Sequence, residues 1–145
     1  MPTYPTLTPR VIGQAEKTLN AILARQLVGT GLAEPDWVIL TLAATSGEPP
    51  GRDQFTRTVA DALKISEAGA RARIGAMVTA QQLQITGEGS AVTVTGAALQ
   101  VHERIRAATV SITQQLWGDL PAGDLATAGR VLAIITERAN AELAR

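Results

Sequence analysis

The sequence contains no cysteine and very few aromatic residues. The absence of cysteine in 145 residues excludes disulfides, thiol catalysis and zinc sites built on Cys. Aromatic residues make up 3% of the chain and hydrophobic residues 46%, so any core must be aliphatic and rich in alanine. A single histidine gives little support to His-rich metal sites or His-based catalytic dyads. No metal or covalent cofactor is therefore expected.

The chain also lacks an excess of charge and long apolar runs. Thirteen basic residues balance thirteen acidic ones, so any attraction to nucleic acid or membrane must come from a local patch. No apolar run approaches the ~18 residues of a membrane span, and the N-terminus has no signal-peptide pattern. We expect a cytoplasmic protein whose length fits one domain with a real core.

Apolar residues at helical spacing predict six helices, separated by breaks rich in Gly and Pro. Thr8-Pro9 is a typical helix start, because Thr caps and Pro fits the first helical position. Ser66 is a plausible cap for the fourth helix. The predicted helices cover about residues 8–28, 34–45, 53–63, 67–80, 97–117 and 124–143.

One stretch between the fourth and fifth helices does not have helical spacing. Leu83–Thr86 and 91–95 alternate β-branched and polar residues around Gly87-Glu88-Gly89-Ser90. This pattern predicts a β-hairpin, because the linking residues tolerate positive φ.

The order of these elements indicates a winged helix-turn-helix. The third and fourth helices are joined by the tight turn Lys64-Ile65-Ser66, and alanine permits their close crossing. A two-stranded ribbon directly after the second of two such helices is a wing, which lies beside the recognition helix.

At this level the chain resembles the MarR family of winged helix-turn-helix regulators. The likeness covers nearly the whole sequence and rests on the first helix, on residues 31–40, on Val59–Ser66 and on Val92–Gly96 leading into the fifth helix. It implies a mainly α fold with one small hairpin, working as a single domain. It also implies an obligate homodimer and a DNA-binding lobe at about residues 34–96, with dimerisation helices at about 8–30 and 97–145. A small-molecule effector pocket is often part of this arrangement.

The long terminal helices carry apolar stripes whose partner the sequence does not identify. Their apolar residues step by three and four positions, which lets helices pack along one another. Packing within one chain and packing against a second copy both account for these stripes.

The predicted recognition helix has an unusual surface. Its spacing places Ala70, Ile74, Met77 and Gln81 inward, and Gly69, Ala72, Ala76 and Thr79 on the opposite side. Reading a base edge needs donors or acceptors, and alanine offers at most a methyl contact to thymine. Arg71 and Arg73 lie on the two flanks, from which they can reach phosphates.

The wing departs from the pattern that the resemblance implies. It is short, lacks the Asp-x-Arg element of family wings, and carries Glu88 at its tip. No Lys or Arg occurs from Ile74 to Glu103. Since phosphate neutralisation supplies most nonspecific affinity, such a lobe should bind DNA weakly.

Two hypotheses about function follow. The first is a homodimeric DNA-binding transcriptional regulator of MarR type, controlled by a small apolar or aromatic ligand and without enzymatic activity. In the second hypothesis the protein keeps the dimeric fold but has lost operator binding. It then serves as a small-molecule binder, a partner-binding protein or an enzyme.

Ten residues are candidates for contacts with DNA or ligand. The candidate DNA contacts are Arg52, Arg57, Ser66, Gly69, Arg71, Arg73, Thr79 and Ser90. The candidate ligand contacts are Trp37 and His102, from the region that forms the effector pocket in the resembled family. Both also have a plain structural explanation, since Trp37 fits core packing and His102 fits a hydrogen-bonded position in the core or dimer interface.

Overall fold

The computed structural model describes residues 2–87 and 90–145. Within them the chain forms six helices and one antiparallel hairpin. In chain order these are α1 (Pro9–Leu27), α2 (Glu34–Thr45), α3 (Arg52–Leu63), α4 (Glu67–Thr79), β1 (Leu83–Thr86), β2 (Ala91–Val94), α5 (Gly96–Trp117) and α6 (Ala122–Leu143). The predicted fold class, mainly helical with one small hairpin, is confirmed.

Side-chain caps fix the starts of two helices. The Thr8 hydroxyl oxygen accepts the Val11 N–H at 3.2 Å, at the start of α1. The Ser66 oxygen accepts the Gly69 N–H at 3.0 Å, at the start of α4. Both caps were predicted from the sequence, and each satisfies a backbone donor that the first turn leaves unpaired.

The turn between α3 and α4 is held by backbone hydrogen bonds. Lys64 takes a left-handed conformation with φ of 55°, and the Ile65 N–H donates to the Ala60 carbonyl at 3.1 Å. This tight corner brings α4 against α3 over a mainly aliphatic core. The fully buried residues of that core include Ile39, Leu40, Phe55, Val59, Ile74 and Met77.

The hairpin joins the same core. Leu83 pairs with Val94 and Ile85 with Val92, and Leu83 and Val92 are both buried. On its other side β2 is bonded to the segment before α3, where the Val92 N–H donates to the Pro50 carbonyl at 2.9 Å. This bond was not foreseen from the sequence. Since β1 also contacts α4, the hairpin has the position of a wing.

The chain divides into two compact units, one up to Thr109 and one from Val110 onward. In the second unit α6 contains no buried residue. Its large apolar side chains stay exposed at Leu125, Leu132, Ile135 and Leu143. No helix among the described residues is long and apolar enough to cross a membrane. That the whole chain works as a single domain stays a prediction.

Candidate nucleic-acid interface and buried histidine site

The exposed side of α4 carries small residues, as its sequence predicted. Ala70, Ile74 and Met77 are buried, while Ala72 and Ala76 are exposed. The inward placement of Gln81 was wrong: α4 ends at Thr79, and Gln81 is exposed with φ of 60°. A residue beyond the helix end no longer follows the 3.6-residue period, so the buried stripe is one residue shorter than predicted.

Three of the predicted polar or small contacts are engaged within α4 itself. The Ser66 oxygen is occupied as the helix cap, and the Thr79 hydroxyl donates to the Gly75 carbonyl at 3.1 Å. Gly69 is half-buried, and a Cβ built there would lie 3.3 Å from the Ser66 oxygen. A side chain at position 69 would therefore crowd the cap, and glycine avoids this.

The four predicted arginine contacts differ in their surroundings. Arg52 begins α3 and Arg57 lies one turn further along it, and both are exposed. Arg71 is exposed and forms no ion pair with any residue of the described part of the chain. Arg73 has its Nη1 3.8 Å from Oδ1 of Asp36, a residue of α2. Of the two arginines of α4, Arg71 is thus the one without a carboxylate beside it.

The wing contributes no positive charge to this face. Ser90 is exposed with φ of 52°, and its N–H donates to the Gly87 carbonyl at 3.2 Å. Glu88, predicted at the wing tip, lies outside the described residues. Since no Lys or Arg occurs between Ile74 and Glu103, neither strand of the hairpin adds a cation beside α4.

Trp37 and His102, predicted as ligand contacts, lie against each other. Their ring centroids are 4.8 Å apart and the ring planes are inclined by 23°, which is a stacked arrangement. His102 is only 3% exposed, and its Nε2 lies 3.4 Å from the Thr41 hydroxyl oxygen. The structure therefore brings the two predicted residues together between α2 and α5.

One polar atom of this pair has no partner. Nδ1 of His102 is buried and has no hydrogen-bond partner among the described residues. Leaving such an atom unpaired costs about 1–3 kcal/mol. Burial lowers the pKa of His102 below its usual value of 6.5; Glu103 acts in the opposite direction, and Arg106 lowers the pKa further. The imidazole is thereby held in its neutral form.

Two residues of these sites were missed by reading the sequence. Thr41 lies four positions after Trp37, so both fall on one face of α2; this spacing is a signal that was present. Asp36 has the position of a capping carboxylate in the first turn of α2, and its Oδ2 accepts the Ala33 N–H at 2.9 Å. Its second contact, with Arg73 of another helix, has no local signal.

Comparison with known proteins gives a match in structure and not in sequence. No protein-family model matches the chain, and no curated protein does. AbsC, a MarR family transcriptional regulator from Streptomyces coelicolor, is 20% identical with a TM-score of 0.73, over 95% of this chain and 99% of that one. Ligand-free NadR is 14% identical with a TM-score of 0.77, over 93% and 98%.

A third similar structure contains a ligand. It is a MarR family protein of Mycobacterium tuberculosis in complex with p-aminosalicylic acid, 15% identical with a TM-score of 0.65 over 90% of this chain and 99% of that one. The same protein has been solved with salicylic acid. At these identities the likeness is one of fold, and the fold is the winged helix of MarR family regulators, as the sequence resemblance predicted.

Proposed function

We propose that this protein is a homodimeric, DNA-binding transcriptional regulator of MarR type. The observation that carries the proposal is the geometry of α4. It is supported from behind by α3, β1 and the core, and it presents an exposed side flanked by arginine. A helix supported in this way is the element that enters the major groove in helix-turn-helix proteins.

The charges of the lobe define how DNA is gripped. Arginine at the edges of α3 and α4 reaches phosphates, which position the protein and carry no sequence information. The exposed alanines offer at most a methyl contact to thymine. DNA is therefore held mainly by its backbone, with a weak preference among base sequences.

The homodimer is supported by the exposed apolar stripe of α6. A 22-residue helix with no buried residue leaves Leu125, Leu132, Ile135 and Leu143 in contact with water, at a cost of about 25 cal/mol for each Å² of apolar surface. A second copy of the chain covers such a stripe through self-complementary packing. Light scattering should give a mass about twice the 15.2 kDa of one chain.

The experiment that tests the proposal is binding of the full chain to a random-sequence duplex over a range of salt. Each phosphate contact contributes about −0.9 to the slope of log K against log salt. Arg52, Arg57 and Arg71 from two protomers give a slope between about −2 and −5, depending on how many of them engage. Selection from a random library should then enrich a loosely defined, two-fold symmetric site. Absence of salt-dependent binding would contradict the proposal.

We also propose an aromatic carboxylate as the class of effector, bound at the Trp37–His102 pair. The unpaired Nδ1 of His102 is suited to donate a hydrogen bond to a carboxylate, and Trp37 offers a ring for stacking. The M. tuberculosis protein of the same fold binds salicylic acid. Because the imidazole is covered, binding requires Trp37 to move away from it.

Calorimetric titration with sodium salicylate tests the effector site. The wild type should bind salicylate, and His102→Leu should bind it several-fold more weakly, because leucine has no hydrogen-bond donor to take the place of Nδ1. Equal affinities in the two proteins would contradict the assignment of this pair as the site.

A further inference from the structure

We propose that Asp36 is a positioning residue that holds Arg73 back from DNA. The inference rests on the proposed function and concerns a residue outside the DNA-binding surface. Asp36 lies in the first turn of α2, and its Oδ1 is 3.8 Å from Nη1 of Arg73. The contact joins α2, which packs against α4, to one of the two arginines of α4.

The carboxylate of Asp36 is itself held in place. Its other oxygen, Oδ2, accepts the Ala33 N–H at 2.9 Å, and its side chain is 21% exposed. A carboxylate fixed by a backbone hydrogen bond loses less side-chain entropy in an ion pair than one on a freely rotating surface chain. The more exposed partner, Arg73, is therefore the group that is drawn toward the other.

The direction of that pull is away from the groove-facing side. Counting by the 3.6-residue period, Arg73 lies about 70° and Arg71 about 90° from the centre of the stripe formed by Ala70, Ile74 and Met77. Arg73 is thus the arginine nearer the body of the lobe, and Asp36 belongs to α2, which packs against α4 there. A carboxylate within 4 Å of the Arg73 guanidinium also weakens the attraction between that guanidinium and a DNA phosphate.

The central test is Asp36→Asn in the full chain. Asparagine keeps a side-chain oxygen for the Ala33 N–H and loses the charge that holds Arg73. An exposed ion pair changes an equilibrium constant by up to about fivefold. We therefore expect random duplex to bind about two- to fivefold more tightly per protomer. The salt slope should steepen by up to about 0.9 for each arginine released. Unfolding of part of the sample only weakens binding, so it does not imitate this result.

Two controls separate the ion pair from a general change of charge. Glu34→Gln removes a negative charge from the same turn of α2, where Glu34 has no ion pair among the described residues. It should leave the salt slope at the wild-type value. In a chain that already carries Arg73→Gln, Asp36→Asn should give no gain in affinity.

The possible outcomes distinguish this inference from the proposed function. If the wild type binds DNA and Asp36→Asn binds it no more tightly, the restraint on Arg73 is refuted and the proposed function stands. The same conclusion follows if Asp36→Asn raises the affinity equally in a chain that carries Arg73→Gln. If neither protein binds DNA, both are refuted. If Asp36→Asn does not fold, Arg73→Gln and Arg71→Gln take its place. If Asp36 restrains Arg73, the salt slope of DNA binding should become shallower by a smaller amount in Arg73→Gln than in Arg71→Gln. Equal changes of slope in the two variants would contradict the restraint.

Discussion

Asp36 and Trp37 are neighbours in the first turn of α2, yet they belong to two different regions of the molecule. Asp36 contacts Arg73, and the two side chains are 21% and 45% exposed. Trp37 stacks on the buried His102. In the first region the groups are charged and partly exposed to solvent. In the second, one polar atom has been taken out of water without a partner.

The difference determines how each region responds to change. Interactions between exposed charges are weak and screened by salt, so changes there should alter the salt dependence of DNA binding and leave stability nearly unchanged. Packing and desolvation at the buried pair do not depend on salt in this way. Changes there should alter stability and leave the salt slope unchanged.

The largest effect is expected from Trp37→Ala. Truncating a buried Trp costs about 3–5 kcal/mol, and Trp37 is only half-buried, so we expect the free energy of unfolding to fall by roughly 2–3 kcal/mol. Trp37→Phe keeps a ring against His102 and should lose less than half as much. Urea unfolding at a fixed protein concentration measures both. If Trp37→Ala also changed the salt slope of DNA binding, the two regions would not respond independently, which would contradict the account.

A smaller effect should follow from His102 through pH. Because burial lowers its pKa, the unfolded chain takes up a proton near pH 6.5 that the folded chain does not. The free energy of unfolding should therefore be highest above about pH 6.5 and fall as the pH decreases below it. The slope is at most about 1.4 kcal/mol per pH unit.

Because the chain contains a single histidine, a pH dependence in this range can be assigned to His102. His102→Asn should be nearly flat between about pH 8 and pH 5.5, since carboxylates titrate near pH 4. Urea unfolding of both proteins across this range is the measurement. Parallel curves for wild type and variant would mean that His102 is not held neutral by burial.

The elements of this fold were predictable because their signals are local. Thr8 and Ser66 form the caps that their sequence context indicated, and the alternation in Leu83–Thr86 became a strand. Gln81 is an exception, because it falls at the spacing of the buried stripe of α4 and yet lies beyond the end of the helix. Helical period does not reveal where the helix stops.

The candidate sites were predictable only in part. Stacking of Trp37 on His102 joins two helices that are far apart in the chain and was not predicted; the family resemblance suggested only that both residues lie near a ligand pocket. The ion pair of Asp36 with Arg73 was indicated neither by a local sequence pattern nor by the family resemblance. Asp36 lies in the second helix, so the charges of the third and fourth helices alone leave out the carboxylate that contacts Arg73. The bond from Val92 to Pro50 was missed as well, because so short a pairing shows no alternation.

The central claim is that arginine on the exposed flank of α4 grips the DNA backbone, and Arg71→Gln tests it most directly. Binding of wild type and variant to the same random duplex should be measured at several salt concentrations. We predict a slope of log K against log salt that is shallower by about 0.9 per protomer in the variant, with an unchanged free energy of unfolding. Identical slopes in the two proteins would contradict the claim.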